Sequence, residues 1–578
     1  MKFALQKAGR KVLLLLCILC GAQVSFSLDR EAFSIVHYDL DVRVEPEQHR
    51  LAARGNVLLR NDSATPQKIA VLQVSSSLDW RSIKAADKQL QFVRQPLTSD
   101  IDHTGGLSEA IVTLPQEVPP HATIALDIAY EGVILLDATR LIRIGAPEEA
   151  AKATDWDQID STFTGVRGIG HVAWYPITTG VVNLSEEGSL FEALERWKRR
   201  EAGATARIKI SVSAIGDQPQ TLLANDPSCT PSHEASGQAQ LIQSDWHFRS
   251  PGAITPTFVL AEYGEIDRRS IQVFNLSSHA VAGEAYANAV EKIAPLIADW
   301  FGPARERVVI ADLPDKNASP FESGAFLLTP LGSINSKLTG LAAAHQLAHA
   351  SFSSPRLWIN EGLAHFAQAV FLEQDGGRRA ALDYLAAHRS ALHAVGPPDS
   401  TTSGNESQSS LADSTSEEFI RSKALCVWWM LRDLIGDPAL KKAIAAYKPE
   451  QDEDLSYMPR LIAAQTPRDL QWFFDDWIYH NHGLPNFRVE SAFSHRASPN
   501  LFVLTIALEN TGTAGAEVPV IIRMPKGESV KRIEVRAKSK TTFRVETPAA
   551  PQEIVVNDGS VPESETKDNV FKVAPPQS

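Results

Sequence analysis

Residues 345–362, HQLAHASFSSPRLWINEG, carry the densest chemistry in this 578-residue chain. His345 and His349 stand four apart in an alanine-rich segment, Leu341 to Ala350, that reads as helix. A four-residue step returns a side chain to the same helix face, so both imidazoles can share one metal ion. Glu361 opens a second apolar run twelve residues after His349. Two histidines and one carboxylate leave a fourth position free, which is the ligand set of a catalytic zinc site. The same spacing is also met by two structural histidines packed on a helix.

Gln346 bears on the chemistry. In the usual zinc-peptidase helix the residue after the first histidine is Glu, the base that takes a proton from the attacking water. A neutral amide orients a water but accepts no proton. The sequence therefore offers a candidate metal site beside the wrong residue for the standard reaction.

Leu357-Trp358-Ile359-Asn360-Glu361-Gly362-Leu363-Ala364 follows the pair. With this run the chain resembles the M1 family of zinc aminopeptidases, within the gluzincins, whose pattern is HExxH, a spacer, then LWLNEGFA. The resemblance implies one zinc ion on His345, His349 and Glu361. The spacer here, Ala350 to Asn360, is eleven residues, shorter than the family's. The family's GAMEN segment, which binds substrate backbone and free amine, aligns with Gly324, Ala325, Phe326, Leu327 and Leu328. Its glutamate falls on Leu327, with Glu322 nearby but out of register. The family's Y-x-K-G-x-x-V motif aligns with residues 421–427, placing Arg421 where the oxyanion-stabilising Tyr belongs. Lys423 and Val427 match. The resemblance thus keeps the metal ligands and lacks three functional residues.

Magnitudes favour an impaired enzyme. Losing a general base costs ~10²–10⁴ in rate, and losing one oxyanion donor ~10²–10³. Three readings follow. The first is an exported pseudopeptidase that binds peptide or protein in the old cleft. The second is a working zinc metallopeptidase with a displaced base such as Glu322. The third is a metal-free structural protein.

The rest of the chain sets the frame. Lys2, Lys7, Arg10 and Lys11 precede the apolar run Val12 to Cys20, with small residues Ser25 and Ser27 after it. This reads as a secretory signal peptide over 1–27, too short to span a membrane, and predicts a secreted or periplasmic protein. Its removal takes four of 56 basic groups and no acidic ones, leaving 52 against 69, a net charge of −17. Such a surface argues against nucleic acid and anionic membrane as partners. Cys229 and Cys426 remain, and the sequence does not say whether they pair. No later segment has the length of apolar residues for a membrane span, and the oligomeric state is not legible.

The length predicts several domains of a multidomain α+β protein. Residues 28–265 alternate as half-buried strands do, for example over Tyr38 to Val44 and Arg207 to Val212. The HYDLDVRV opening and His247-Phe248-Arg249 resemble the family's N-terminal β-saddle; an unrelated β-sandwich scaffold fits the alternation equally. Residues 266–485 read as the thermolysin-like (gluzincin) metallopeptidase domain. There, Val290, Ile293, Ile297 and Trp300 line one helix face, Arg379 to His393 forms another helix, and Pro467 to Tyr479 resembles the family's FFDQW helix. Pro397 to Ser416 is a long polar loop, read as disordered. Residues 486–562 read as an immunoglobulin-like β-sandwich and 563–578 as a frayed polar tail. His365, four after Glu361 on the same helix face, reads either as a partner behind the metal ligands or as a solvent-facing residue, and the second is the expectation.

Overall fold

A computed structural model describes residues 28–575, apart from 187–188, 214–219, 227–231, 237–238, 249–250, 253, 306, 334–335, 355, 390–391, 393–409, 413–416 and 453. The signal-peptide reading, Cys229 and nearly all of the 397–416 loop lie outside the described residues.

The alternating N-terminal segments form an eight-stranded sheet. At its centre Phe33–Glu45 runs antiparallel to Arg50–Asn61 and parallel to Thr205–Ser213. The period-2 pattern turns Tyr38, Leu40, Val42 and Val44 inward, where all four are buried. A three-stranded sheet of Gln67–Ser75, Gly106–Val118 and Phe92–Thr98 contributes Leu72, Val74, Ala110 and Val112 to the same core.

A five-stranded sheet begins with Gly264–Asp267, so the expected 265/266 boundary falls inside a strand that pairs with Ile271–Asn275. Ile271–Asn275, Val308–Asp312 and Phe326–Thr329 run parallel, and the edge strand Phe321–Ser323 is antiparallel to the last. Helix Ala280–Phe301 buries Val290, Ile293, Ile297 and Trp300, the stripe expected from its period, and stops before Gly302. The two motif-bearing helices follow, Ser336–Ser351 and Leu357–Ala387. The helix expected from Arg379 is the distal arm of the second, separated from its first arm by a kink at Gly377. Helix Glu417–Ile435 packs on that first arm.

The chain ends in two small antiparallel sheets. Their inward residues, such as Ile506 and Val520, join one continuous core with Trp358, Trp428 and Trp477 of the helical region. Trp477 donates its indole N–H to the Gly515 carbonyl at 2.8 Å, tying the closing helical turn to the β region. The expected frayed tail is corrected in part: Val570–Lys572 adds a strand beside Glu553–Val556, and Glu563 is buried, accepting from the Phe487 N–H. Polar composition misled there, because those polar atoms serve hydrogen bonds rather than solvent. Among the described residues, no helix is long and apolar enough to cross a membrane.

Candidate metal centre

Three pieces of backbone converge on one point. Helix Ser336–Ser351 presents His345 and His349 from successive turns, with Ala343, Ala344, Leu347 and Ala348 buried around them. Small side chains let this helix pack closely against its neighbours. Helix Leu357–Ala387 brings Glu361 from its second turn. Its close approach to helix Glu417–Ile435 depends on Gly362, where an added Cβ would stand 2.6 Å from the Ala424 Cβ and 2.7 Å from the Trp428 indole nitrogen. That contact brings Arg421 to Glu361, with the guanidinium Nε 3.6 Å from Oε2.

The third piece is a hairpin. Ser323 pairs with Phe326 across a two-residue turn, Gly324-Ala325, and Gly324 holds φ +62°. Glu322 is therefore directly opposite Leu327. Opposed residues of an antiparallel pair share a face, so the carboxylate missing at 327 is supplied from the adjacent strand. Sequence alignment left Glu322 out of register. The signal that finds it is the short turn, which converts a five-residue offset into a cross-strand contact.

Glu322, His345, His349 and Glu361 each offer one ligand atom, all within 4.8 Å of one another. The two imidazole Nε2 atoms are 3.1 Å apart. Glu322 Oε1 lies 2.9 Å from His345 Nε2 and 3.7 Å from His349 Nε2. Glu361 lies 3.8 Å from His345 Nε2 and 3.6 Å from His349 Nε2. A tetrahedral ion with bonds of ~2.0–2.2 Å sets its donors roughly 3.3 Å apart. The separations bracket that figure, and nitrogen plus carboxylate donors suit zinc, so these residues fit the ion. Glu361 Oε2 is buried and, among the described residues, meets the Arg421 guanidinium at 3.6 Å but accepts no hydrogen bond.

Gln346 points to the same place. Its amide nitrogen donates to the second oxygen of Glu322, while its own carbonyl oxygen is buried with no hydrogen-bond partner among the described residues. Burial pushes the Glu322 carboxyl up, but His345, His349 and Arg421 outweigh it and leave it lowered. Burial depresses His345, and the adjacent Glu322 and Glu361 reverse this to a raised value. For His349 burial prevails over Glu361, and its value is lowered.

Around the donors stands a layer of polar side chains. Asn360 places its amide 3.2 Å from His349 Nδ1. His365 is half-buried rather than solvent-facing: its ring centre is 5.1 Å from that of His345, and its Nδ1 is 2.9 Å from the Tyr384 hydroxyl. Tyr384 in turn donates to Gln368 at 2.6 Å. Burial, then the charges of His345 and Arg421, hold His365 well below the usual histidine range. Helical spacing alone does not say which face of the Glu361 helix is covered.

Of the expected substrate segment, Ala325 and Phe326 are core residues. Phe326 packs with Trp156, Phe163 and Val259 on the sheet face opposite Leu327, and the Ala325 carbonyl accepts from the Val309 N–H at 2.9 Å. Lys423 is buried near Asn481 at 3.3 Å, and burial pushes its ammonium down to about 8. Cys426 is buried and in no disulfide among the described residues.

No family model and no curated protein matches the chain. Solved structures do. The M1 zinc metallopeptidase from Deinococcus radiodurans superposes with a TM-score of 0.52 at 14% identity, over 79% of this chain and 96% of that one. A mutant of that enzyme gives a TM-score of 0.51 at 14% identity, over 80% and 97%. Its mutant bound to a Tyr-Ser-Ala substrate gives 0.50 at 15% identity, over 78% and 95%. With nearly the whole of each solved chain matched at such low identity, the likeness establishes architecture: this protein has the fold of the M1 zinc metallopeptidases.

Proposed function

We propose that this chain is an exported M1 metallopeptidase-like protein that holds one zinc ion on His345, His349 and Glu361 and is hydrolytically impaired. In this reading it binds a peptide or protein ligand in the cleft that its relatives use for catalysis. The observation that carries it is the pairing of Gln346 with Glu322 at the donor cluster. The position that supplies the base in the family's motif is an amide, and that amide is engaged as a donor. Arg421, at the family's Tyr position, is turned to Glu361. A bound zinc ion would supply Lewis acidity; this chain's residues offer it no proton acceptor at 346.

A second reading has one observation in its favour. Glu322 is a carboxylate within the cluster, 2.9 Å from His345 Nε2, and a displaced base would occupy such a place. The two separate in one experiment. The purified chain lacking residues 1–27 is analysed for zinc and assayed on aminoacyl substrates and internally quenched peptides. The impaired reading expects about one zinc per chain and turnover at background. Zinc-dependent cleavage abolished by His345→Ala establishes the second reading instead. Substoichiometric zinc after loading returns the protein to a metal-free structural role.

A further inference from the structure

The donor cluster holds two carboxylates, where the motif resemblance implied one. We propose that Glu322 is itself a metal ligand, so that four protein groups close the centre and leave no position for an exogenous ligand. This rests on the metal binding argued under Proposed function and adds what the ion's fourth partner is.

Three observations converge on Glu322. Its Oε1 stands as near the two imidazole nitrogens, at 2.9 and 3.7 Å, as the Glu361 oxygens do, at 3.8 and 3.6 Å. The hairpin turn at Gly324-Ala325 fixes it there through strand pairing, Glu322 to Leu327 and Ser323 to Phe326, rather than through a long mobile side-chain reach. Gln346 then accounts for itself. Its amide donates to the oxygen of Glu322 that does not face His345. A ligating carboxylate needs such a donor on its free oxygen. A glutamate at 346 would set a second negative charge against that oxygen. The exchange of base for amide at 346 and the carboxylate at 322 are thus one coupled change. Structural zinc sites are closed by four protein ligands, whereas catalytic ones keep a position open.

The test uses the full mature chain loaded with cobalt(II), whose visible spectrum reports coordination. Azide titrated into the wild-type cobalt protein is expected to leave the spectrum unchanged. The Glu322→Ala protein is expected to respond to azide and to bind zinc at least about 10-fold more weakly in chelator competition. Gln346→Ala is expected to weaken zinc by about 10-fold without opening the site to azide. Glu322→Gln, closer in shape, replaces the alanine variant if circular dichroism shows that the latter misfolds. A wild-type spectrum that shifts with azide overturns the closed centre while leaving zinc binding intact. Unchanged zinc affinity in both Glu322 variants does the same. Failure of the wild type to bind either metal overturns this inference and the proposed function together.

Discussion

Two buried charge clusters lie on either side of the hairpin that carries Glu322, and they are built on opposite plans. In the N-terminal region Arg140 grips Asp155 with two hydrogen bonds, of 2.8 and 2.7 Å, and Arg167 grips Asp157 with bonds of 3.0 and 2.6 Å. The spare guanidinium hydrogens go to backbone carbonyls of Asp100, Gly170 and Thr154. Arg167 also lies 4.0 Å from the Trp156 ring centre. Asp155 is held through both of its oxygens, while Asp157 takes both guanidinium bonds on one oxygen and the Arg167 backbone N–H on the other. In the helical region two carboxylates and two imidazoles crowd together, and Arg421 stands 3.6 Å from Glu361. Among the described residues, buried oxygens of Glu361 and Gln346 accept no hydrogen bond. The first cluster is neutralised by bidentate and forked ion pairs, whereas the second gathers four donor atoms in a group that could hold a metal ion.

The largest expected effect breaks the first cluster. Arg167→Met strands the buried Asp157 carboxylate and should destabilise the N-terminal region by ~3–5 kcal/mol in denaturant unfolding. Its ring contact with Phe321, at 5.7 Å, adjoins Glu322, so zinc affinity should fall as well, but by less than in a ligand variant. Unfolding unchanged by the substitution would remove the contrast between the clusters.

Next is the metal itself. With free zinc 100-fold above Kd, binding should stabilise the wild type by ~2.7 kcal/mol. Thermal unfolding with zinc and with chelator reads this difference, which His345→Ala should abolish. A zinc-dependent shift that survives in His345→Ala places the ion elsewhere.

A third prediction concerns a buried carboxyl belonging to neither cluster. Burial pushes Glu201 from 4.5 up to about 8, with the Tyr38 hydroxyl 2.8 Å away. The folded state thus holds this proton more tightly than the unfolded state. Its contribution is fully present below about pH 4.5 and is lost as the pH rises through about 8. The slope reaches at most ~1.4 kcal/mol per pH unit. Glu201→Gln should flatten the stability curve over that window, and equal slopes in the two proteins would refute it. The smallest effect sharpens the second cluster. Tyr384→Phe removes one hydroxyl between His365 and Gln368 and should cost ~1 kcal/mol in unfolding, with zinc stoichiometry unchanged.

Legibility in the sequence followed the range of the interactions. The His345–His349 pair, the stripe on helix Ala280–Phe301 and the alternation of Tyr38 to Val44 are local periodicities, and each has its expected secondary structure. The place of Glu322 was not legible, because a hairpin register and the packing of a helix against it decide which atoms meet. The partial cover of His365 comes from Tyr384 and His388, beyond the kink at Gly377. The strand at Val570–Lys572 forms only because Glu553–Val556 presents an edge for it.

The sequence by itself determined the residue types: two histidines one helical turn apart, a glutamate opening the next helix, and an amide where a base is usual. Those follow from covalent order and helical pitch. Only the tertiary structure decided that a second glutamate joins them and that Gln346 spends its donor on it. Cross-strand pairing and helix packing bring residues 322, 346 and 361 within a few ångströms, and no spacing along the chain encodes that distance.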